Sequence, residues 1–162
     1  LTSDIGGFGE VGHSYVHCDH QVRCRCGLNN CLETQAALWS LWPELQLQYP
    51  NAPYDEWGFE NFLNNTPNFD VNLLNNAIQK MAVTIRNLSL VMAPQHVTLT
   101  GPFTQNQAIF ERLCREFKAL LPPDSNHSAH NQVTLSASRA GVKDEIIGAA
   151  YPLFAQSLQE LQ

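Results

Sequence analysis

The amino-acid sequence predicts an α/β chain of few strands and several helices, preceded by a loop rich in metal-ligating side chains. Apolar residues recur at three- and four-residue intervals from Leu74 to Met92, the period of a helix with one buried face. Two short β-branched runs, 96–100 and 132–136, flank a second helical pattern, and strand, helix, strand with short connections implies a parallel pair. Residues 1–30 are rich in Gly, Cys and His and read as an irregular loop.

Within that loop, 13–17 alternates and is a candidate short strand. From 32 to 49 a helical rhythm runs through Leu38, Trp39, Leu41, Trp42 and Leu45, interrupted by Pro43 and ended by Pro50. Prolines, a glycine and several asparagines make 51–70 a loop with one short helix around Trp57, Phe59 and Phe62. Asp70 has the chemistry of an N-cap. Behind it Leu74, Ile78, Met81, Ile85, Leu88 and Met92 form a core stripe.

After Pro94 the run His96-Val97-Thr98-Leu99-Thr100 reads as a strand closed by Gly101. A helix over 105–121 follows, with Ile109, Phe110, Leu113, Phe117 and Leu120 as its buried face and Cys114 in the core. Pro122 and Pro123 stop it, and a polar loop runs through His130. A strand over 132–136 and a last helix over 142–161, kinked at Pro152, complete the chain. Two or three short strands make a thin sheet. Parallel sheets are normally covered and broader, so an upstream part or a twin subunit is expected to complete it.

With 162 residues and 44% hydrophobic content, one domain (1–162) with a real core is expected. The formal charge of -6 and only 9 Lys plus Arg, none clustered, argue against nucleic-acid binding by this piece itself, since phosphate neutralisation needs a basic face. Apolar runs fall far short of the ~20 residues a membrane span requires, and no signal-like segment opens the chain. The cysteines are bunched at metal-like spacing, not spread as a disulfide framework, which suits a reducing cytoplasm. Because the first residue is Leu1 and not Met, the chain is expected to begin inside a longer protein.

The chemistry is concentrated in Gly9-Glu10-Val11-Gly12-His13 and Cys24-Arg25-Cys26-Gly27-Leu28-Asn29-Asn30-Cys31-Leu32-Glu33. Three thiols and one imidazole are the donor set of a closed tetrahedral zinc site, structural because no position is left for a reactive water. The Cys-x-Cys-x4-Cys spacing alone leaves free buried thiols or a redox pair open. Glu33 also suits the positive end of a helix starting near Leu32, and Glu10 a solvated loop. His17, Cys18 and His20 read as bystanders.

These two segments resemble the signature of the ROK family, bacterial sugar kinases and sugar-responsive transcriptional repressors of the xylose and N-acetylglucosamine type. The resemblance implies zinc held by His13, Cys24, Cys26 and Cys31, and sugar contacts from Glu10, His13 and Glu33. It implies an actin-like, ribonuclease-H-like ATPase fold of two lobes. This chain would be most of the C-terminal lobe, with 1–33 the zinc and sugar loop and 34–162 the helical and α/β portion, and with the upstream lobe and any DNA-binding domain outside it. Asn30 stands where the family pattern has Gly, and Asn tolerates a left-handed backbone.

A family kinase needs an Asp-x-Gly phosphate loop and an Asp base, both upstream of the part matched, so no catalytic residue is expected here. At Thr100-Gly101-Pro102-Phe103 the resemblance implies a Gly-Gly pair facing a nucleotide. Pro102 has no N–H to offer there, although it also suits the first position of a helix. The expected function is the sugar or sugar-phosphate effector-binding part of a cytoplasmic, homo-oligomeric regulator that reaches DNA only through a domain outside this chain. A sugar kinase lobe and a ligand-free dimerisation module are the alternatives.

Overall fold

The computed structural model describes residues 9–121 and 133–138, together with Ile147, Ala150 and Tyr151. The loop through His130 and most of the helix expected over 142–161 lie outside the described residues, although Ile147, Ala150 and Tyr151 are helical.

The Cys-rich segment contains one 3-10 turn, Val11–His13, and the strand expected over 13–17 is reduced to an antiparallel bridge between Tyr15 and Cys31. Two helices follow in place of one: α1, Glu33–Ala36, and α2, Leu38–Gln48. The break falls at Ala37, extended at ψ 149°, and not at Pro43, which α2 accommodates in its interior. Ser40 explains the site, because its hydroxyl donates to the carbonyls of Glu33 and Ala37, both at 2.8 Å. A side chain that satisfies carbonyls at a helix end competes with continuing the helix.

Helix α3, Glu56–Asn64, starts at Asp55, whose carboxylate accepts from Gly58 N at 2.7 Å. It buries Phe59 and Leu63. Asp70 does cap, accepting from Asn72 N at 3.0 Å, but it caps a 3-10 turn, Val71–Leu74, that leads into α4, Asn75–Met92. Leu74, Ile78 and Ile85 of the expected stripe are buried, Met81 packs partly buried against the core, and Ala82 and Ser89 join the buried face. Met92 is 63% exposed, because the last turn of α4 overshoots the core.

Strand β1 is His96–Leu99. Gly101, at φ 109°, turns the chain into α5, Pro102–Gln105, with Pro102 in its first turn, where a proline's fixed φ and missing N–H suit a helix start. A second break at Asn106 separates α6, Gln107–Ala119, and its side chain caps α6 by accepting from Ile109 N at 3.1 Å. Ile109, Leu113 and Phe117 are buried as expected, whereas Leu120 lies past the helix and is exposed. Cys114 is half-buried, not fully in the core, and burial pushes its thiol up.

Strand β2, Thr134–Ala137, pairs with β1 in parallel, His96 opposite Thr134 and Leu99 opposite Ala137. The expected parallel pair is therefore present. Val97, Leu99 and Leu135 turn toward the core, while His96 and Thr98 point to the other face, as a period of two dictates. There His96 bridges the strands, Nδ1 at 2.7 Å from Thr134 Oγ1 and Nε2 at 2.8 Å from Ser136 Oγ. Helices α4 and α6 pack together, α3 on α5 and α1 on α4, around a core centred on Phe59, Leu45, Leu74, Ile78 and Phe117.

Candidate metal centre

The loop that carries the cysteines is a set of short backbone exchanges around residues 29–32. Arg23 and Asn29 form an antiparallel bridge, and Cys24 N donates to Leu28 O at 2.8 Å across a turn that Gly27 closes at φ 92°. Asn30 is left-handed at φ 57° and buried at 6% exposure. Its amide N donates to Val22 O and its side-chain Oδ1 accepts from Val22 N, both at 2.8 Å. Its carbonyl accepts from Val16 N, and Leu32 N donates to Ser14 O. Asn30 thus ties the His13 side of the loop to the Cys24 side.

These exchanges bring His13, Cys24, Cys26 and Cys31 together, with one ligand atom of each within 4.8 Å of all the others. Cys24 Sγ lies 3.7 Å from His13 Nδ1 and Cys26 Sγ lies 3.6 Å from Cys31 Sγ. Tetrahedral zinc with bonds of 2.0–2.3 Å places its ligand atoms roughly 3.3–3.8 Å apart, so these are tetrahedron edges. Three soft sulfurs and one imidazole nitrogen can hold a metal ion with no vertex left over. The four thiol and imidazole positions singled out in the sequence form this cluster, and among the described residues it is the only such group.

The thiols differ in their surroundings. Cys31 is 1% exposed, and burial, reinforced by hydrogen bonds with Cys26 and Cys24, pushes its thiol from 9.0 up to about 12. The Cys26 thiol is instead lowered, chiefly by a hydrogen bond with the Leu28 backbone. Cys31 therefore keeps its proton unless a cation displaces it.

Glu33, at the start of α1, does not point away from the cluster. Its Oε2 lies 3.8 Å from Cys24 Sγ and 3.9 Å from His13 Nδ1. Gly12 makes the space, since a Cβ there would sit 2.8 Å from Glu33 Cγ. Glu10 is exposed at the start of the 3-10 turn, its carbonyl accepting from His13 N at 3.0 Å. His17, Cys18 and His20 line a separate cleft of about 220 Å³ with Gln35, Asn76 and Lys80.

Three contributors escaped the sequence reading: Gly12, the Asn30 side chain and Arg25. Arg25 sits between two candidate ligands, yet its guanidinium carbon stacks 4.4 Å over the Trp39 ring and its Nη2 donates to Tyr54 Oη at 3.4 Å. The loop is thereby fastened to α2 by a cation–π contact. Only a glycine beside the ligand His13 hinted at Gly12; nothing in the spacing pointed to Arg25. Trp39 also lines an open apolar groove of about 640 Å³, whose wall includes Thr100, Gly101 and Pro102 at the end of β1.

The chain is a mixed α/β structure with a His and three Cys gathered on the loop that precedes α1. The family model described as ROK family matches residues 2–156, and the chain belongs to the ROK family. No curated protein matches it significantly. Among solved structures it is similar to a ROK hexokinase from Thermus thermophilus, at 23% identity and TM-score 0.65, over 94% of this chain and 49% of that one. It is also similar to a ROK family transcriptional regulator, a homologue of the E. coli MLC protein, at 20% identity and TM-score 0.62, over 82% of this chain and 35% of that one. The chain thus spans half or less of these structures, and its mixed α/β architecture matches their actin-like fold. Among the described residues no helix is long and apolar enough to cross a membrane.

Proposed function

We propose that this chain is the effector-binding C-terminal part of a ROK-family transcriptional regulator, stabilised by zinc at His13, Cys24, Cys26 and Cys31. The observation that carries the metal half is the cluster of one nitrogen and three sulfurs at tetrahedral edge distances. Zinc suits it because thiolate and imidazole donors in a closed tetrahedron are its structural signature. The ion orders a loop that holds little apolar surface of its own.

Glu10, His13 and Glu33 are the proposed sugar contacts. A carboxylate accepting from sugar hydroxyls makes charge-assisted hydrogen bonds, about twice as strong as neutral ones, and His13 with Nδ1 turned to the cluster leaves Nε2 for a ligand. The regulator is preferred to a kinase because Pro102 opens α5 where a nucleotide-binding backbone would offer an N–H. The hexokinase among the similar structures supports a C-terminal kinase lobe as the second reading, and a ligand-free dimerisation module is the third. DNA binding is assigned to a domain outside this chain, and the protein to the cytoplasm as a homo-oligomer.

Calorimetry of the full-length protein against hexoses, N-acetylhexosamines and their phosphates tests the reading. One sugar binds, and Glu33→Ala abolishes the heat while the far-UV circular dichroism is unchanged. No heat with any sugar overturns it in favour of the ligand-free module. Phosphoryl transfer from ATP to a bound sugar would establish the kinase instead.

A further inference from the structure

Cys26 Sγ lies 3.6 Å from Cys31 Sγ. A disulfide is about 2.05 Å long, so the two sulfurs need to close by only about 1.5 Å to bond. The backbone between them already doubles back: Gly27 at φ 92° and Asn30 at φ 57° are both left-handed, and Cys24 exchanges backbone hydrogen bonds with Gly27 and Leu28 at 3.0 and 2.8 Å. Asn30 is held further by its pairing with Val22, so the loop's own hydrogen bonds set this approach. The two thiols differ in access, since Cys26 is exposed whereas Cys31 is 1% exposed. Cys24 is the rival partner, but it is buried and its Sγ lies against His13 Nδ1 and Glu33 Oε2, at 3.7 and 3.8 Å.

We infer that Cys26 and Cys31 are a modification site, a dithiol that hydrogen peroxide oxidises to a disulfide. The exposed Cys26, as thiolate, attacks one peroxide oxygen; the O–O bond breaks, leaving Cys26 as a sulfenic acid and releasing hydroxide. The Cys31 sulfur then displaces the sulfenic hydroxyl, which leaves with the Cys31 proton as water. Two thiols thereby lose two electrons and two protons, and the peroxide becomes two waters. The nearby buried thiol matters because it resolves the sulfenic acid before a second peroxide carries it to the irreversible sulfinic level. The inference goes beyond the metal reading and does not rest on it. It sets a choice for the same side chains, since the disulfide withdraws two of the four donors and leaves only His13 and Cys24. Exchange with a reducing thiol restores the full set.

Disulfide mapping tests this on the full-length protein, reduced, treated with chelator, given one equivalent of hydrogen peroxide, then quenched in acid and alkylated. Trypsin cuts after Arg25 and chymotrypsin after Leu28, so Cys26 is released on the tripeptide 26–28 and its partner is read by mass. In the folded protein the chain's thiols are expected to fall from five to three, with Cys26 joined to Cys31 as the dominant product and the thiols recovered on adding dithiothreitol. The same treatment in urea spreads Cys26 among several partners, because the turn that presents Cys31 is lost. A dominant link from Cys26 to Cys24, Cys26 recovered as sulfinic acid with Cys31 still free, or the same mixture with and without urea overturns the inference. Zinc content of the protein as purified is a separate measurement, so a failure of the metal reading is distinguishable from a failure of this one.

Discussion

Gly12 and Glu33 share one volume: a methyl group on Gly12 would come 2.8 Å from Glu33 Cγ, closer than side chains approach without displacement. The glycine next to His13 serves a neighbour distant in sequence. Its φ does not demand glycine, so the constraint is one of space.

Gly12→Ala is therefore expected to cost about 1–3 kcal/mol by overpacking, read from urea unfolding of the metal-loaded chain. Gly12→Ala/Glu33→Ala should recover most of that loss, since the two act on one contact. Additive losses in the two single variants would show that Gly12 is needed for another reason.

Asn30 carries two constraints, a left-handed backbone and a side-chain acceptor for Val22 N. Asn30→Gly removes only the acceptor, whereas Asn30→Ala removes it and adds about 1–2 kcal/mol of backbone strain. The alanine variant is expected to unfold at a lower temperature than the glycine variant in matched thermal melts. The reverse order would mean that the conformation at Asn30 is not what holds the loop.

Metal content should depend on pH with a definite sign. Thiolates, not thiols, bind the ion, and Cys31 holds its proton up to about 12 without one, so acid favours release. Elemental analysis after dialysis is expected to show about one zinc per chain near pH 7.5 and progressively less toward pH 5. In the metal-free chain the sign is opposite. A thiol raised above 9.0 in the fold stabilises fully below that value and loses its contribution as pH climbs toward 12, so the chelated protein should melt earlier in alkali.

Phe59 is fully buried and lies against Phe62 and Phe103, with ring centroids 5.7 and 5.3 Å away. Phe59→Ala is expected to lose about 3–5 kcal/mol, measured by denaturant unfolding. It ties α3 to α5, so loss of helical circular dichroism and loss of core packing should occur in one transition.

What the sequence made legible follows from periodicity. The stripe on α4 and the buried face of α6 each repeat a simple spacing, so Ile78 and Leu113 fall on the core side as expected, and the two short β-branched runs pair in parallel. The errors cluster at element ends. Met92 and Leu120 continue the right period beyond the core they were meant to cover, and a break at Ala37 depends on a Ser40 hydroxyl three residues later. The cluster itself was readable because its donor types are rare and close together. The placement of Glu33 against Cys24 was not, because it depends on how the loop from Gly12 to Asn30 closes, a matter of backbone hydrogen bonds between residues that no spacing rule connects.

The cross-strand bridge made by His96 limits what can lie over that side of the sheet. Imidazole and hydroxyl groups in a row present donors and acceptors already satisfied by one another, with little oil-like surface between them. A greasy helix laid across them would gain little from contact and would strip away hydration, so a neighbour there must be hydrophilic or leave a film of solvent in between. The two faces of this small sheet therefore follow different rules: on the Val97 side substitutions are constrained by volume, and on the His96 side by hydrogen-bonding capacity.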